Sequence, residues 1–200
     1  VNLEEVKSLF LLSKTWKNER DLFRLIQADI GLAIEAFIHF TNEDGWRTCH
    51  YFIVNGNLEG FKLLLDLADE NDLSSILLEC KTNDNKTLMH HIACQTHSST
   101  IAMIDSLEDF EESYEMYEAK DCKGRTPFHY AALYKNVDLI INLSQSSNPL
   151  LKDSLGLSVL DVAILSGEIR SVQIITTELN WTAYTEIDRV RAMKCAFYSG

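Results

Sequence analysis

Long apolar runs, proline and glycine are scarce in this chain of 200 residues. It has two prolines, eight scattered glycines and no apolar run of about 18 residues, the length that suggests a membrane span. The N-terminus also lacks the basic start, apolar stretch and small-residue cleavage site of a secretory signal. There is no glycine-rich phosphate loop, and no G-x-S-x-G signature surrounds a serine. The sequence therefore predicts no membrane contact, no cofactor and no catalytic centre in these residues.

Basic residues are outnumbered. The chain has 18 Lys and Arg against 30 Asp and Glu, a formal net charge of −12. Binding of nucleic acid needs clustered Lys and Arg to neutralise phosphates, so we expect a protein partner that is neutral or basic at the contact. The five cysteines are odd in number and dispersed, which favours free thiols in a reducing compartment. We predict a cytoplasmic protein that is monomeric by itself.

Four stretches of the chain are variants of one another. The clearest, residues 121–132, runs Asp-Cys-Lys-Gly-Arg-Thr-Pro-Phe-His-Tyr-Ala-Ala, and the others begin at Asp44, Asp84 and Asp153. The position of its histidine is filled along the chain by His50, His90, His129 and Asp161. The intervals between these residues are 40, 39 and 32, and such a period indicates a stack of repeated units.

The physical chemistry of residues 121–143 indicates how one unit folds. Thr126 can cap a helix whose first residue is Pro127, where the missing N–H costs nothing. After Asn136, apolar residues recur at helical spacing as far as Leu143. Each unit is then a turn and two short antiparallel helices. Neither helix can bury its apolar face alone, so stacking of units must form the core.

These residues resemble ankyrin repeats, whose T-P-L-H-x-A pattern stands here as Thr-Pro-Phe-His-Tyr-Ala at 126–131. The resemblance covers about residues 42–200. It implies an all-α solenoid of stacked helix-turn-helix units with short turns, about four to five repeats plus N-terminal helices. The predicted repeats are 42–80, 81–119, 120–152, 153–184 and a partial unit at 185–200, where Cys195 to Gly200 echoes Asp161 to Gly167. Residues 1–41 are predicted to be an N-terminal helical cap or a degenerate repeat.

The resemblance implies that a partner contacts the turn tips and the exposed side of the first helices. Carried over by alignment, the predicted protein-binding residues are Trp46, Asn55, Lys86, Gln95, Arg125, Tyr130, Tyr134 and Leu157. Trp46, Arg125 and Tyr134 have a structural alternative, in which each covers a neighbouring repeat with its apolar body. Arg125 can also bridge to an aspartate at position 121, 153 or 161.

Two further features have both a functional and a structural interpretation. The long intervals imply inserts near 69–80 and 108–118, and the second mixes four glutamates with aromatic residues. It could dock a basic partner or be an ordinary helix with a solvated face. His90 and Cys94, at i and i+4 beside His91, could hold zinc, but no second pair has ligand spacing. We predict no metal site there and a structural role for the histidines.

The sequence predicts a protein-binding module with no enzyme activity within this chain. An alternative rests on the Asn- and Ser-rich, Pro-poor style of the sequence. In that interpretation the chain is the substrate-recognition domain of a secreted bacterial effector, such as an ADP-ribosyl-transferring toxin acting on host signalling or cell-death proteins. Its catalytic domain would lie outside this chain, and it would work in the host cytosol. A third interpretation is a purely structural scaffold.

Overall fold

The computed structural model describes residues 2–15, 19–110, 113–178 and 185–199, and the regular elements in these ranges are all helical. The predicted all-α class is therefore confirmed. The chain divides into two compact units. The N-terminal unit is Val1–Ile92 with His97–Tyr114, and the C-terminal unit is Ala93–Thr96 with Glu115–Gly200. In the described ranges, no helix combines the length and the apolar character that crossing a bilayer requires.

The first half of the chain contains eight short helices among its described residues. They are α1 (Leu3–Ser13), α2 (Glu19–Ala28), α3 (Ile30–Ile34), α4 (Thr48–Asn55), α5 (Leu58–Asp69), α6 (Ser74–Leu78), α7 (Leu88–Ala93) and α8 (Thr100–Asp105). α3 continues as a π-helical turn over Glu35–His39. α1 packs on α4, and α2 packs on α5. The two N-terminal helices therefore occupy the places that a preceding helix pair would hold against α4 and α5.

The second half of the chain repeats one packing arrangement. Its helices are α9 (Ser113–Glu118), α10 (Pro127–Leu133), α11 (Val137–Ser146), α12 (Val159–Ser166), α13 (Ile169–Glu178) and α14 (Glu186–Ser199). α10 packs on α12 and α12 on α14, while α11 packs on α13. The first helix of each pair (α10, α12, α14) thus lies against the first helix of the next pair. The second helices (α11, α13) likewise lie against each other. This is the packing expected when repeated helix pairs bury their apolar faces against one another.

Additional short helices account for the longer intervals in the first half of the chain. α6 lies in the first predicted insert, and α9 lies at the end of the second. Between α11 and the turn at Asp153, residues 147–152 contain no helix. The interval of 32 residues is therefore the length of a turn and two helices, and the intervals of 39 and 40 include a third helix.

Among the described residues, one turn structure is built four times, at the register that the sequence predicts. In each turn, the N–H of the first residue donates to the C=O of the fifth at 2.9–3.0 Å, and its C=O accepts from the N–H of the fourth. The first residues are Asn42, Thr82, Asp121 and Asp153. The fourth residues have positive φ: Gly45 (79°), Asn85 (63°), Gly124 (70°) and Gly156 (76°). Asn85 tolerates this conformation better than most residues other than glycine.

Consecutive turns are also joined by backbone hydrogen bonds within each unit. In the N-terminal unit, Asn83 N–H donates to the C=O of Asp44 at 3.0 Å. In the C-terminal unit, Ser154 N–H donates to the C=O of Lys123 at 2.9 Å. These bonds fix the distance between neighbouring turn tips. The repeat register is therefore held by main-chain contacts as well as by helix packing.

Candidate functional site

The recurring histidine position is a helix cap. Nδ1 of His50, His90 and His129 accepts the N–H of the residue three positions earlier, at 2.9, 3.1 and 3.2 Å respectively. All three side chains are buried. Nε2 of His129 also donates to the C=O of Leu157 in the next turn at 3.1 Å. Burial lowers the pKa of His129, which favours the neutral ring that these contacts require.

In α12 and α14, aspartate carboxylates cap the start of the helix in place of histidine. Asp161 Oδ2 accepts from Ser158 N–H at 2.9 Å, and Asp188 Oδ2 accepts from Thr185 N–H at 3.2 Å. The cap of α14 therefore places Asp188, seven residues before Cys195, at the position equivalent to Asp161. Residues 179–184 of the predicted fourth repeat lie outside the described part of the chain.

The predicted residues of the N-terminal unit make local contacts. Trp46 is half-buried, with its ring centroid 5.6 Å from His50, 5.2 Å from Tyr51 and 5.0 Å from His91. It covers the start of the following α7, as the structural alternative expects. The exposed Asn55 donates its side-chain N–H to the C=O of Lys14 at 2.9 Å.

Lys86 also has a partner within its own turn. Its Nζ lies 2.7 Å from a carboxylate oxygen of Asp84. Burial alone would raise the pKa of Asp84, but hydrogen bonds from Lys86 and Thr82 outweigh it and lower that pKa. Lys86 is half-buried at the turn tip.

In the C-terminal unit, three predicted residues are engaged by contacts within one repeat or between neighbouring repeats. Arg125 Nε lies 3.4 Å from Asp153 Oδ2, so the bridge to the next turn is present. Tyr130 is 5% exposed, and its hydroxyl donates to Asp121 Oδ2 at 2.7 Å. Burial and that carboxylate raise the pKa of the Tyr130 phenol. Leu157 is half-buried and offers its carbonyl to His129.

Substitution of Arg125 tests its structural role. Arg125→Met keeps most of the apolar stem and removes the guanidinium, and we expect it to lower the free energy of unfolding by about 1 kcal/mol. Chemical denaturation followed by circular dichroism measures this change. Lys135→Met is the matched control, because Lys135 is exposed and has the same kind of stem. Equal effects of the two substitutions would show that the bridge contributes nothing.

Tyr134 differs from the other predicted residues of the C-terminal unit because it is open to solvent. It is 49% exposed at the end of α10, where its ring is stacked on Tyr130 with centroids 6.3 Å apart. Gln95, the remaining predicted residue, is half-buried, and its carbonyl accepts from the side-chain amide of Asn136. Tyr134 is thus a rigid aromatic side chain presented at the surface.

Exposed apolar side chains recur near the ends of α10 and α12 and midway along α14. They lie four or five residues after the capping side chains of His129, Asp161 and Asp188, and are Leu133 (39% exposed), Tyr134, Leu165 (44%) and Met193 (72%). Because α10 packs on α12 and α12 on α14, these residues lie on adjacent helices. We call them the helix-end strip. Sequence alignment misses Met193, because aligning Cys195 with Asp161 shifts the register of α14 by seven residues.

The acidic insert turns its apolar residues inward. Met116 and Tyr117 in α9 are buried, whereas Glu115 is exposed. A carboxylate oxygen of Glu118 accepts the N–H of Asn148 at 3.1 Å. Phe110 is half-buried, and Glu111, Glu112 and the side chain of Tyr114 lie outside the described part of the chain. The visible contacts are those of a helix with a solvated acidic face.

Cys49, His50 and Cys80 bring three metal-ligating atoms together in the N-terminal unit. These atoms lie within 4.8 Å of one another, and all three residues are buried. His50 Nδ1 is occupied by the helix cap, and the guanidinium of Arg47 donates to the C=O of Ile38 close by. The group therefore differs from a structural zinc site, which takes four ligands. Two members of the group, Cys49 and Cys80, are thiols that are close in space although distant in the sequence.

Comparison with known proteins gives one family match. Residues 123–154 match the ankyrin repeat family. The matched segment contains α10 and α11 and lies within the C-terminal unit. No curated protein sequence matches the chain. Neither result supports an origin among bacterial effectors.

Proposed function

Because residues 123–154 are an ankyrin repeat, a unit that in general binds proteins and does not catalyse reactions, we propose that this chain recognises a partner protein through the helix-end strip. The observation that carries the proposal is the recurrence of exposed apolar residues four or five positions after the capping residue on α10, α12 and α14. Single exposed apolar residues are ordinary in folded proteins. A contiguous series on packed helices is characteristic of interaction surfaces.

Tyr134 is the proposed anchor of this surface. Tyrosine is enriched among residues that dominate binding energy, since it buries a large area with few rotatable bonds. Its stacking on Tyr130 restricts the ring before a partner arrives, which reduces the entropic cost of binding. Leu133 beside it, Leu165 on α12 and Met193 on α14 extend the apolar contact along the following helices. A partner would fit if it presents an apolar ridge that packs between these side chains.

Charge favours a partner that is neutral or basic around that ridge. The net charge of −12 raises the association rate with a basic protein surface and opposes contact with nucleic acid phosphates. Gln95, Arg125 and Leu157 would add polar or peripheral contacts within the C-terminal unit. Trp46, Asn55 and Lys86 are separate candidates for partner contact in the N-terminal unit. Tyr130 would hold the ring of Tyr134 in place by stacking against it. We propose recognition without catalysis, by a protein that is monomeric and cytoplasmic.

Paired variants test the surface. The first combines Leu133→Ser, Tyr134→Ala and Leu165→Ser, which remove apolar area from the strip. The control combines Ile141→Ser and Ile169→Ser, which remove exposed apolar area from the second helices α11 and α13 of the same unit. Partners captured by the unmodified chain are identified, purified and titrated against all three proteins. We expect the strip variant to weaken binding at least about tenfold, and the control to leave affinity unchanged.

Two results would contradict the proposal. Equal affinities for the strip variant and the unmodified chain would place the contact elsewhere. Weakening by the control alone would assign binding to the second helices. Circular dichroism and thermal melts of each variant separate lost binding from lost folding.

A further inference from the structure

Two buried thiols from different parts of the N-terminal unit lie close together in the fold. Cys49 is near the start of α4, and Cys80 follows α6 just before the second turn. Their sulfur atoms lie within 4.8 Å of each other, and the Cys49 sulfur lies 3.6 Å from Nδ1 of His50. Cys49 is fully buried, and Cys80 is 7% exposed. Cys80 is thus the member of the pair that a small molecule from solvent can reach first.

The surroundings favour a thiolate on Cys80 over one on Cys49. The neighbouring Cys49 thiol lowers the pKa of Cys80, and the charge of Arg47 acts in the same direction against the opposing effect of burial. Burial and the neighbouring Cys80 raise the pKa of Cys49. The pair therefore consists of a proton donor and a potential nucleophile. Two adjacent thiols, one readily ionised and the other protonated, are suited to stepwise oxidation.

We propose that Cys49 and Cys80 form an oxidation site that closes to a disulfide in the presence of hydrogen peroxide. The Cys80 thiolate attacks one peroxide oxygen, the O–O bond breaks, and hydroxide leaves, giving a sulfenic acid on Cys80. The Cys49 sulfur then attacks that sulfur, the S–O bond breaks, and water leaves after the Cys49 proton is taken up. The sulfur atoms lose two electrons in total, and one peroxide becomes two waters.

The site is distinct from the helix-end strip and lies in the other unit. Its disulfide would join the start of α4 to the segment that precedes the next turn. Closing this loop removes conformational freedom from the unfolded chain, so the oxidised protein should melt several degrees higher than the reduced protein. Cys122 is exposed at a turn tip of the C-terminal unit and serves as an internal reference for accessible thiols.

Differential alkylation of the unmodified protein tests the proposal directly. The reduced protein is treated with hydrogen peroxide, its free thiols are alkylated, and the disulfides are then reduced and alkylated with a second reagent. We expect the second label on Cys49 and Cys80 together, and a linked peptide that has lost the mass of two hydrogen atoms. Dithiothreitol should reverse both the link and the rise in melting temperature.

Variants separate the two steps of the reaction. In Cys49→Ser, dimedone should trap the sulfenic acid on Cys80, because the resolving thiol is gone. Cys122→Ser should leave the Cys49–Cys80 link unchanged. Retention of both thiols in the unmodified protein while Cys122 is oxidised would overturn the proposal. So would a sulfinic acid on Cys80 without a link to Cys49. Mapping of the unmodified protein decides the matter even if Cys49→Ser folds poorly.

Discussion

Gly124→Ala should destabilise the C-terminal unit much more than Gly156→Ala. Both glycines have left-handed φ values, 70° and 76°, at the same position of consecutive turns. A Cβ at Gly124 would lie 2.9 Å from the backbone nitrogen of Ser154, whereas a Cβ at Gly156 would meet nothing within 4 Å. The two substitutions therefore share the conformational cost and differ in steric conflict.

The expected magnitudes follow from this difference. An alanine in the left-handed region costs roughly 1–2 kcal/mol, which is the whole expected effect at Gly156. At Gly124 the turns must also separate, which strains the hydrogen bond from Ser154 N–H to Lys123 and adds about 1–3 kcal/mol. We expect a loss of about 3 kcal/mol for Gly124→Ala.

Urea denaturation of both variants, followed by circular dichroism, measures the contrast. Gly45→Ala provides a second example in the N-terminal unit, because its Cβ would lie 3.1 Å from the Asn83 backbone nitrogen. Equal losses at Gly124 and Gly156 would mean that contact between turns contributes nothing to stability. A larger loss of unfolding free energy for Gly156→Ala than for Gly124→Ala would contradict the close approach of the turns at Gly124.

The features that the sequence predicts correctly depend on residues close together in the chain. The helix start at Pro127 and the capping positions are set by contacts spanning three or four residues. The positive φ at Gly124 follows from the same short pattern. Local rules of this kind apply whatever the rest of the fold does. The repeat register at residues 120–160 was therefore predictable.

Other features depend on tertiary contacts that no short pattern contains. Cys49 and Cys80 meet because α6 returns the chain to the start of α4. Residues 127–132 of α10 are all buried, so helical periodicity could not separate the enclosed Tyr130 from the open Tyr134. The register of α14 depends on Asp188 at its cap, which lacks the neighbouring proline and glycine of the clearer repeats. The number of repeats and the solenoid form stay predictions.

Acid should destabilise the N-terminal unit between about pH 6 and pH 4.5, before most carboxylates titrate. Burial, with a smaller effect of His91, lowers the pKa of His50 to about 3. Burial, with the charge of Lys86, lowers the pKa of His91 to about 4. Their rings pack edge to face with centroids 4.8 Å apart. Neither ring can take up a proton in the folded state without losing this environment.

The sign follows from proton linkage. Histidine in the unfolded chain has a pKa of about 6.5, so below that pH the unfolded state binds protons that the folded state excludes. Stability is therefore complete above about pH 6.5 and is lost as pH falls towards the folded pKa values. Each histidine contributes a slope of up to about 1.4 kcal/mol per pH unit, and the pair up to about 2.8.

Trp46 fluorescence reports this loss locally, because its ring contacts both histidines. Trp16→Phe and Trp181→Phe leave Trp46 as the single tryptophan of the chain. In that background, urea titrations between pH 7 and pH 4.5 should show a falling midpoint, and His91→Gln should reduce the slope of stability against pH by about half. His39→Gln is the control, because His39 is exposed and lies outside the pair. A slope unchanged by His91→Gln, or reduced equally by His39→Gln, would show that the buried pair does not set the acid limit of this unit.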